Sequence, residues 1–244
     1  MKRRIASTFA VAAGLLAAGC GPSEQPEAEA TLQTRWVMPP EIDAVAAAGR
    51  ELIVQGQASP LGRVVVSGAG DLAYAVGADA EGRFELRVPR PAQDTLFQVE
   101  ARVGQEGFPA PYRLLIGADA KAPIALLAIG APTQRLDPGP GLDAVDSDGR
   151  AAFISGRAPA RAQVVIEGEG GRTVTADETG RWRLAGSGAG GGAIRIAGVT
   201  YRPALGGTAR PGVLERAGDG WRIDWASPGG GRQSTWFPDP TTTR

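Results

Sequence analysis

Ala78-Asp79-Ala80-Glu81-Gly82-Arg83-Phe84-Glu85-Leu86 returns further along the chain as Ala176-Asp177-Glu178-Thr179-Gly180-Arg181-Trp182-Arg183-Leu184. In both stretches an acid and a glycine three residues on make a turn. After it, charged and apolar residues alternate, the period of a strand with one wet and one buried face. Phe84, Leu86 and Val88 should therefore point inward, as should Trp182 and Leu184. The match extends upstream at an offset of 100 residues. Asp43-Ala44-Val45, Gly49-Arg50, Gly56, Ala58, Val64-Val65 and Gly68 recur as Asp143-Ala144-Val145, Gly149-Arg150, Gly156, Ala158, Val164-Val165 and Gly168. Repetition over that span marks two copies of one structural unit.

Each copy reads as strands. Residues 52–56 and 153–156 end at a glycine, and residues 63–67 and 163–167 are rich in valine. Residues 97–103 and 194–199 add a further strand to each copy, while 114–116 and 124–129 extend the first copy alone. With 36 glycines and 19 prolines spread along 244 residues, turns are frequent and long helices are not expected. The fold class is all-β: two tandem Ig-like antiparallel β-sandwiches at 43–130 and 143–206, joined by a Pro/Gly linker at 131–142. Residues 207–244 form a C-terminal extension containing a hairpin with tryptophans.

The pattern Val-x-Gly-x-Ala, a valine-rich strand, then Asp-x-x-Gly-Arg-aromatic-x-Leu resembles the bacterial Ig-like and carboxypeptidase-regulatory-like β-sandwich repeats of envelope proteins. It covers residues 43–90 and 143–185. The resemblance implies that these glycines and the Asp-x-x-Gly turn are structural, and it carries no catalytic residues with it.

The N-terminus reads as an export signal. Lys2, Arg3 and Arg4 precede an uncharged run over residues 5–18 that is too short to cross a bilayer and ends in small residues. Leu16-Ala17-Ala18-Gly19-Cys20 resembles the lipobox of bacterial lipoproteins, with Ala17 where leucine is commonest. That resemblance implies cleavage before Cys20, acylation of its thiol, and attachment to a membrane. An ordinary secretory signal is the alternative, and it requires the chain's only cysteine to fall at the cleavage site by chance. Residues 20–42 are acidic and Pro-rich and read as a lipid-anchored flexible tether. Gly21 after the cysteine, by likeness to enterobacterial lipoproteins, favours the outer membrane, facing the periplasm.

Composition narrows the chemistry. The chain has 26 basic and 26 acidic residues, and losing the three at its start leaves 23 basic ones, a net charge of −3. That balance excludes nucleic acid as a partner, since a concentrated basic surface is needed to displace counterions. Histidine is absent. No Ser-His-Asp or Cys-His nucleophile system and no imidazole zinc site can form. Paired-carboxylate hydrolysis remains formally open, yet no acid-base pair can be nominated. The expectation is a non-enzyme without catalytic residues, cofactor or metal, whose partners are the membrane and other envelope proteins or polysaccharide.

Two candidate sites stand out. Asp143, Asp146 and Asp148 before Gly149 resemble the opening of a calcium loop. The first copy keeps Asp43 and Gly49 but has Ala46 and Ala48 at the other places, so an Asp-Gly hairpin turn explains both copies better. The second candidate is the C-terminal extension, where residues 213–225 read as a hairpin with Trp221, Ile223 and Trp225 on one face. Residues 233–237 add a strand carrying Trp236. These three tryptophans either complete a core against the second sandwich, since two or three strands alone are marginal, or present a platform that stacks on sugar rings.

Overall fold

The computed structural model describes residues 37–128, 130–139, 141–168, 170–187, 190–206, 210–226 and 231–240. Among these residues every helix or strand assigned is a strand, and all strand pairs are antiparallel. The first copy supplies β1 (Glu41–Ala48), β2 (Glu51–Gln57), β3 (Arg63–Ser67), β4 (Ala73–Gly77), β5 (Arg83–Pro89), β6 (Thr95–Val103), β7 (Glu106–Ile116) and β8 (Ile124–Ala128). A two-residue β9 (Gln134–Arg135) follows. The second copy supplies β10 (Leu142–Ser147), β11 (Ala151–Arg157), β12 (Gln163–Glu167), β13 (Arg172–Thr175), β14 (Arg181–Ser187), β15 (Ile194–Ile196) and β16 (Val199–Tyr201). β17 (Leu214–Arg216), β18 (Gly220–Ala226) and β19 (Arg232–Pro238) close the chain.

The repeated sequence folds into repeated structure, down to its irregularities. β1 pairs with β2 as Ile42↔Gly56 and Val45↔Val54, with a break in register between Ile42 and Ala44. β10 pairs with β11 as Leu142↔Gly156 and Val145↔Ile154, with the same break between Leu142 and Ala144. The central glycine of Val-x-Gly-x-Ala has a steric cause. A Cβ on Gly56 would collide with the Glu41 carbonyl and the Phe84 ring, and one on Gly156 with the Gly141 carbonyl and the Trp182 ring. In each copy the glycine thus lets the inward aromatic lie flat against the backbone of the neighbouring strand. The Asp-x-x-Gly turn is likewise structural. Asp79 Oδ1 accepts from the amides of Glu81 (3.0 Å) and Arg83 (2.7 Å), and Asp177 Oδ1 from those of Thr179 (2.9 Å) and Arg181 (3.0 Å). Gly82 and Gly180 take positive φ, 85° and 79°, beside the carbonyls of Ala58 and Ala158.

Four sheets result. Sheet I has the order β1-β2-β5, sheet II β4-β3-β6-β7-β8-β9, sheet III β14-β11-β10-β19-β18-β17, and sheet IV β13-β12-β15-β16. Sheets I and II enclose one core, built from Leu52, Val54, Phe84, Leu86 and Val88 against Val64, Phe97, Leu114 and Leu126. Sheets III and IV enclose another, where Val145, Trp182 and Trp236 meet Val164, Ile166, Ile194 and Tyr201. A third core joins the two sandwiches through the other faces of sheets II and III: Leu115, Ala125 and Leu127 pack on Ala144, Ile223, Trp225 and Phe237. Sheets II and III are thus buried on both faces where they meet. That is why Leu114-Leu115-Ile116 and Ile124-Ala125-Leu126-Leu127 read as continuous apolar runs instead of alternating.

Two expectations about organisation change. The C-terminal segment is not an appended hairpin: β19 pairs with β10, Val145 opposite Trp236, so residues 214–238 complete the second sandwich as half of a six-stranded sheet. The 131–142 segment is not a plain linker either. It contains β9, which pairs with β8, and it buries Thr133 and Arg135 completely.

Candidate functional site

Three elements meet where the sandwiches join, and each brings polar groups that burial forces to find partners. β10 brings Asp143 and Asp146, which bond different partners. The 131–142 segment brings Thr133, Arg135 and Asp137. β19 brings Thr235, opposite Asp146 in the ladder.

Asp146 is the hub. Its Oδ2 accepts from the Thr133 amide (2.7 Å), and its Oδ1 accepts from the hydroxyls of Thr133 (2.6 Å) and Thr235 (2.7 Å). Trp225 Nε1 donates to Thr235 Oγ1 at 3.3 Å, and Ser155 Oγ donates to the Thr133 carbonyl at 2.7 Å. Burial pushes the Asp146 carboxyl above the ordinary carboxylate range, against the pull of the Thr133 and Thr235 bonds. Next to it, Arg135 is fully buried. Its Nε donates to both oxygens of Asp137 at 2.9 Å, its Nη2 to Asp137 Oδ2 at 2.7 Å, and its Nη1 to the Pro238 carbonyl at 2.6 Å. Asp137 Oδ1 also takes the Ile124 amide at 2.9 Å. The guanidinium therefore ties β8, the connecting segment and the end of β19 into one knot.

Asp143 faces a groove of about 960 Å³ between the sandwiches, lined among others by Ile42, Tyr112, Thr133, Arg181 and Trp182. Arg157 Nε bonds its Oδ1 at 2.7 Å, and Arg181 Nη1 lies 3.4 Å from its Oδ2. Desolvation raises the Asp143 carboxyl above its ordinary value, while Arg157 and Arg181 pull it down. Tyr112 lies on the opposite wall. Its hydroxyl donates to the Pro40 carbonyl (2.7 Å) and accepts from the Ile42 amide (3.1 Å), and burial holds its pKa above the ordinary phenol range. Asp143, Arg157, Arg181 and Tyr112 thus find protein partners that hold the groove's walls in place, whereas Trp182 Nε1, also in the lining, is buried without one.

The sequence candidates now have positions. Asp143, Asp146 and Asp148 do not converge. Asp148 Oδ1 accepts the amides of Arg150 (2.8 Å) and Ala151 (2.7 Å) in the tight turn between β10 and β11, as an Asp-Gly hairpin requires. Among the described residues no group of three metal-ligating side chains comes together. Trp221, Ile223 and Trp225 do share a face of β18, but that face packs on sheet II. Trp225 is 2% exposed and Trp236 fully buried on the opposite side, its Nε1 donating to the Ala217 carbonyl at 2.8 Å. Trp221 is half-buried under the Arg216 guanidinium, 4.9 Å from its ring centroid. The sugar platform drawn from Trp221, Trp225 and Trp236 is therefore withdrawn, because Trp221 and Trp225 pack where the sandwiches join and Trp236 fills the core of the second sandwich. Cys20 lies outside the described residues, and among those described no helix is long and apolar enough to cross a membrane.

The seam itself was missed in sequence. Its one visible sign is the exchange of Ala46 in the first copy for Asp146 in the second, a charge gained in the middle of a strand. Comparison of the sequence with protein-family models and with curated proteins finds no match.

Proposed function

We propose that the protein is a non-catalytic lipoprotein of the cell envelope, anchored through acyl chains on Cys20, whose folded part acts as a structural or protein-interaction module. The outer membrane, on its periplasmic side, is the proposed location. One observation carries the reading: the seam's buried charges are spent on joining two sandwiches into a single four-layer body. Asp146, Arg135 and Asp137 form bonds between elements, and the paired Asp143 stiffens a groove wall. Such a body holds a fixed distance and presents fixed surfaces, which suits a spacer or docking part. Each buried methylene of an acyl chain contributes about 0.8 kcal/mol to anchoring, so several chains hold a protein on a membrane without any apolar surface of its own.

The test is metabolic labelling with palmitate, fractionation of wild type and Cys20→Ala, and crosslinking in intact membranes. Label in the wild-type chain only, release of Cys20→Ala from the membrane, and capture of a defined envelope protein are expected. Absence of label together with membrane retention of Cys20→Ala would sink the anchor. Copurification of nothing would count against the interaction role.

A further inference from the structure

The two copies differ at one edge. β10 pairs with β11 on one side and with β19 on the other. β1 occupies the same place in the first copy, with the same ladder and the same break in register, yet among the described residues its outer edge has no partner strand. The difference shows in burial. All of β10 is buried, whereas Ala44, Ala46 and Ala47 of β1 are exposed. Val145 is 0% exposed beneath β19 and Val45 is 8% exposed. Residues 44–48 carry no charge and no proline, the usual devices that keep a bare edge from pairing.

The chain itself contains a strand that fits. Gln33-Thr34-Arg35-Trp36-Val37 matches Gln233-Ser234-Thr235-Trp236-Phe237 of β19 at an offset of 200, twice the repeat. Gln and Trp are identical, and Thr/Ser and Val/Phe are of one kind. Carrying the β10–β19 register to the first copy sets Trp36 opposite Val45, Arg35 opposite Ala46 and Thr34 opposite Ala47. The segment cannot reach that place on its own molecule. The Met38 amide bonds Ser59 Oγ at 3.2 Å, and Ser59 lies beyond the Glu41↔Gln57 pair, so residues 38–40 continue in the direction of β1. Going back from Met38 to the level of Val45 is a rise of about 23 Å along a strand. The two residues between Met38 and Trp36 span at most about 7 Å.

We propose that the open edge of β1 takes residues 33–37 of a second copy of this chain as an added antiparallel strand, each copy lending its segment to the other. Pairing of this kind is reciprocal and closes as a two-fold dimer, so it does not propagate into fibres. Near the axis the Ile42 amide and the Pro40 carbonyl are already bonded to Tyr112, and Pro39 and Pro40 have no N–H, so the new ladder falls on residues 33–37 and 44–48. Main-chain bonds supply the attraction and Trp36 covers Val45, as in other strand additions. The proposal is independent of the lipid anchor.

Light scattering on the purified chain from Gly21 to Arg244, which has no cysteine, should give twice the mass of a single chain at micromolar concentration. Trp36→Lys should return the single-chain mass with an unchanged denaturation midpoint. The register is read by mixing Arg35→Cys and Ala46→Cys chains under mild oxidation. The mixture should give a disulfide-linked pair, and neither variant alone should. A single-chain mass for the wild type, a dimer that survives Trp36→Lys, or a dimer whose mixed cysteines fail to join would each overturn the proposal.

Discussion

Replacing Asp146 with alanine removes the hub of the seam, and the structure allows its cost to be worked out. The Thr133 amide and the hydroxyls of Thr133 and Thr235 bond this carboxylate, and the Gln233 side chain also reaches it. A hydrogen bond to a charged group contributes about 1.5–3 kcal/mol net, and a buried donor left without an acceptor costs about 1–3 kcal/mol. The two threonine hydroxyls can turn toward other acceptors, but the Thr133 amide is fixed by the backbone and stays orphaned. Against these losses stands the several kcal/mol of desolvation that a buried carboxylate carries and alanine does not. The balance is a loss of about 3 kcal/mol, which in a chain of this size lowers Tm by about 6–12 °C. Thermal unfolding followed by near-ultraviolet circular dichroism measures it directly, because Trp225 and Trp236 report on the seam. A midpoint within about 1 °C of wild type would show that the threonines and the connecting segment do not depend on the carboxylate, and the reasoning would fail.

Other perturbations reach different parts of the molecule. Gly156→Ala drives a methyl group into the Gly141 carbonyl and the Trp182 ring, and overpacking of this kind should cost about 1–3 kcal/mol in a urea titration. Trp225→Ala empties the core between the sandwiches and should cost about 3–5 kcal/mol by the same assay. Acidity acts on the two classes of aspartate with opposite signs. Asp146 is raised in the folded state, so its contribution is full below the ordinary carboxylate pKa and is lost as pH rises through the folded value. The stability of wild type relative to Asp146→Asn should therefore fall as pH rises above the ordinary carboxylate value. Asp177 is lowered by the Thr179 hydroxyl and the Arg181 amide, so its contribution is present above the ordinary value and lost as pH drops through the folded one. Asp177→Asn should lack that low-pH loss, and equal acid sensitivity of wild type and variant would count against the assignment.

Much of the sandwich architecture was legible because it is local. Alternation in Arg83-Phe84-Glu85-Leu86-Arg87-Val88 gave β5 its buried face, and Asp-x-x-Gly fixed the turn before it. β1 and β10 were harder to see. Glu41–Ala48 has alanine on both faces, and Leu142–Ser147 is buried throughout, so neither shows a period of two. The joining of the sandwiches was not legible at all. It depends on Leu115 and Leu127 meeting Trp225 and Phe237 from roughly a hundred residues away, and no local pattern reports a contact of that range. The tryptophans were rightly placed on β18 and β19, and the burial that sequence had weighed against a platform is what the structure contains. Asp146 escaped notice as a lock because it was read beside Asp143 and Asp148 in the chain, while along a strand its partners lie across the ladder.

The place of β19 within sheet III bears on the order in which the chain can become a body. Among the described residues it is the last strand in chain order, and it sits between β10 and β18, in the middle of six. While the chain is synthesised from its N-terminal end, sheets I and II can close once β9 has emerged, but Leu115 and Leu127 still face water. β10 also waits, with Asp146 short of Thr235. Those sites are filled only when residues 232–238 arrive, so until then the molecule is a half-finished protein with an apolar face open. A chain broken off before Arg232 would remain in that state, a ready target for proteolysis.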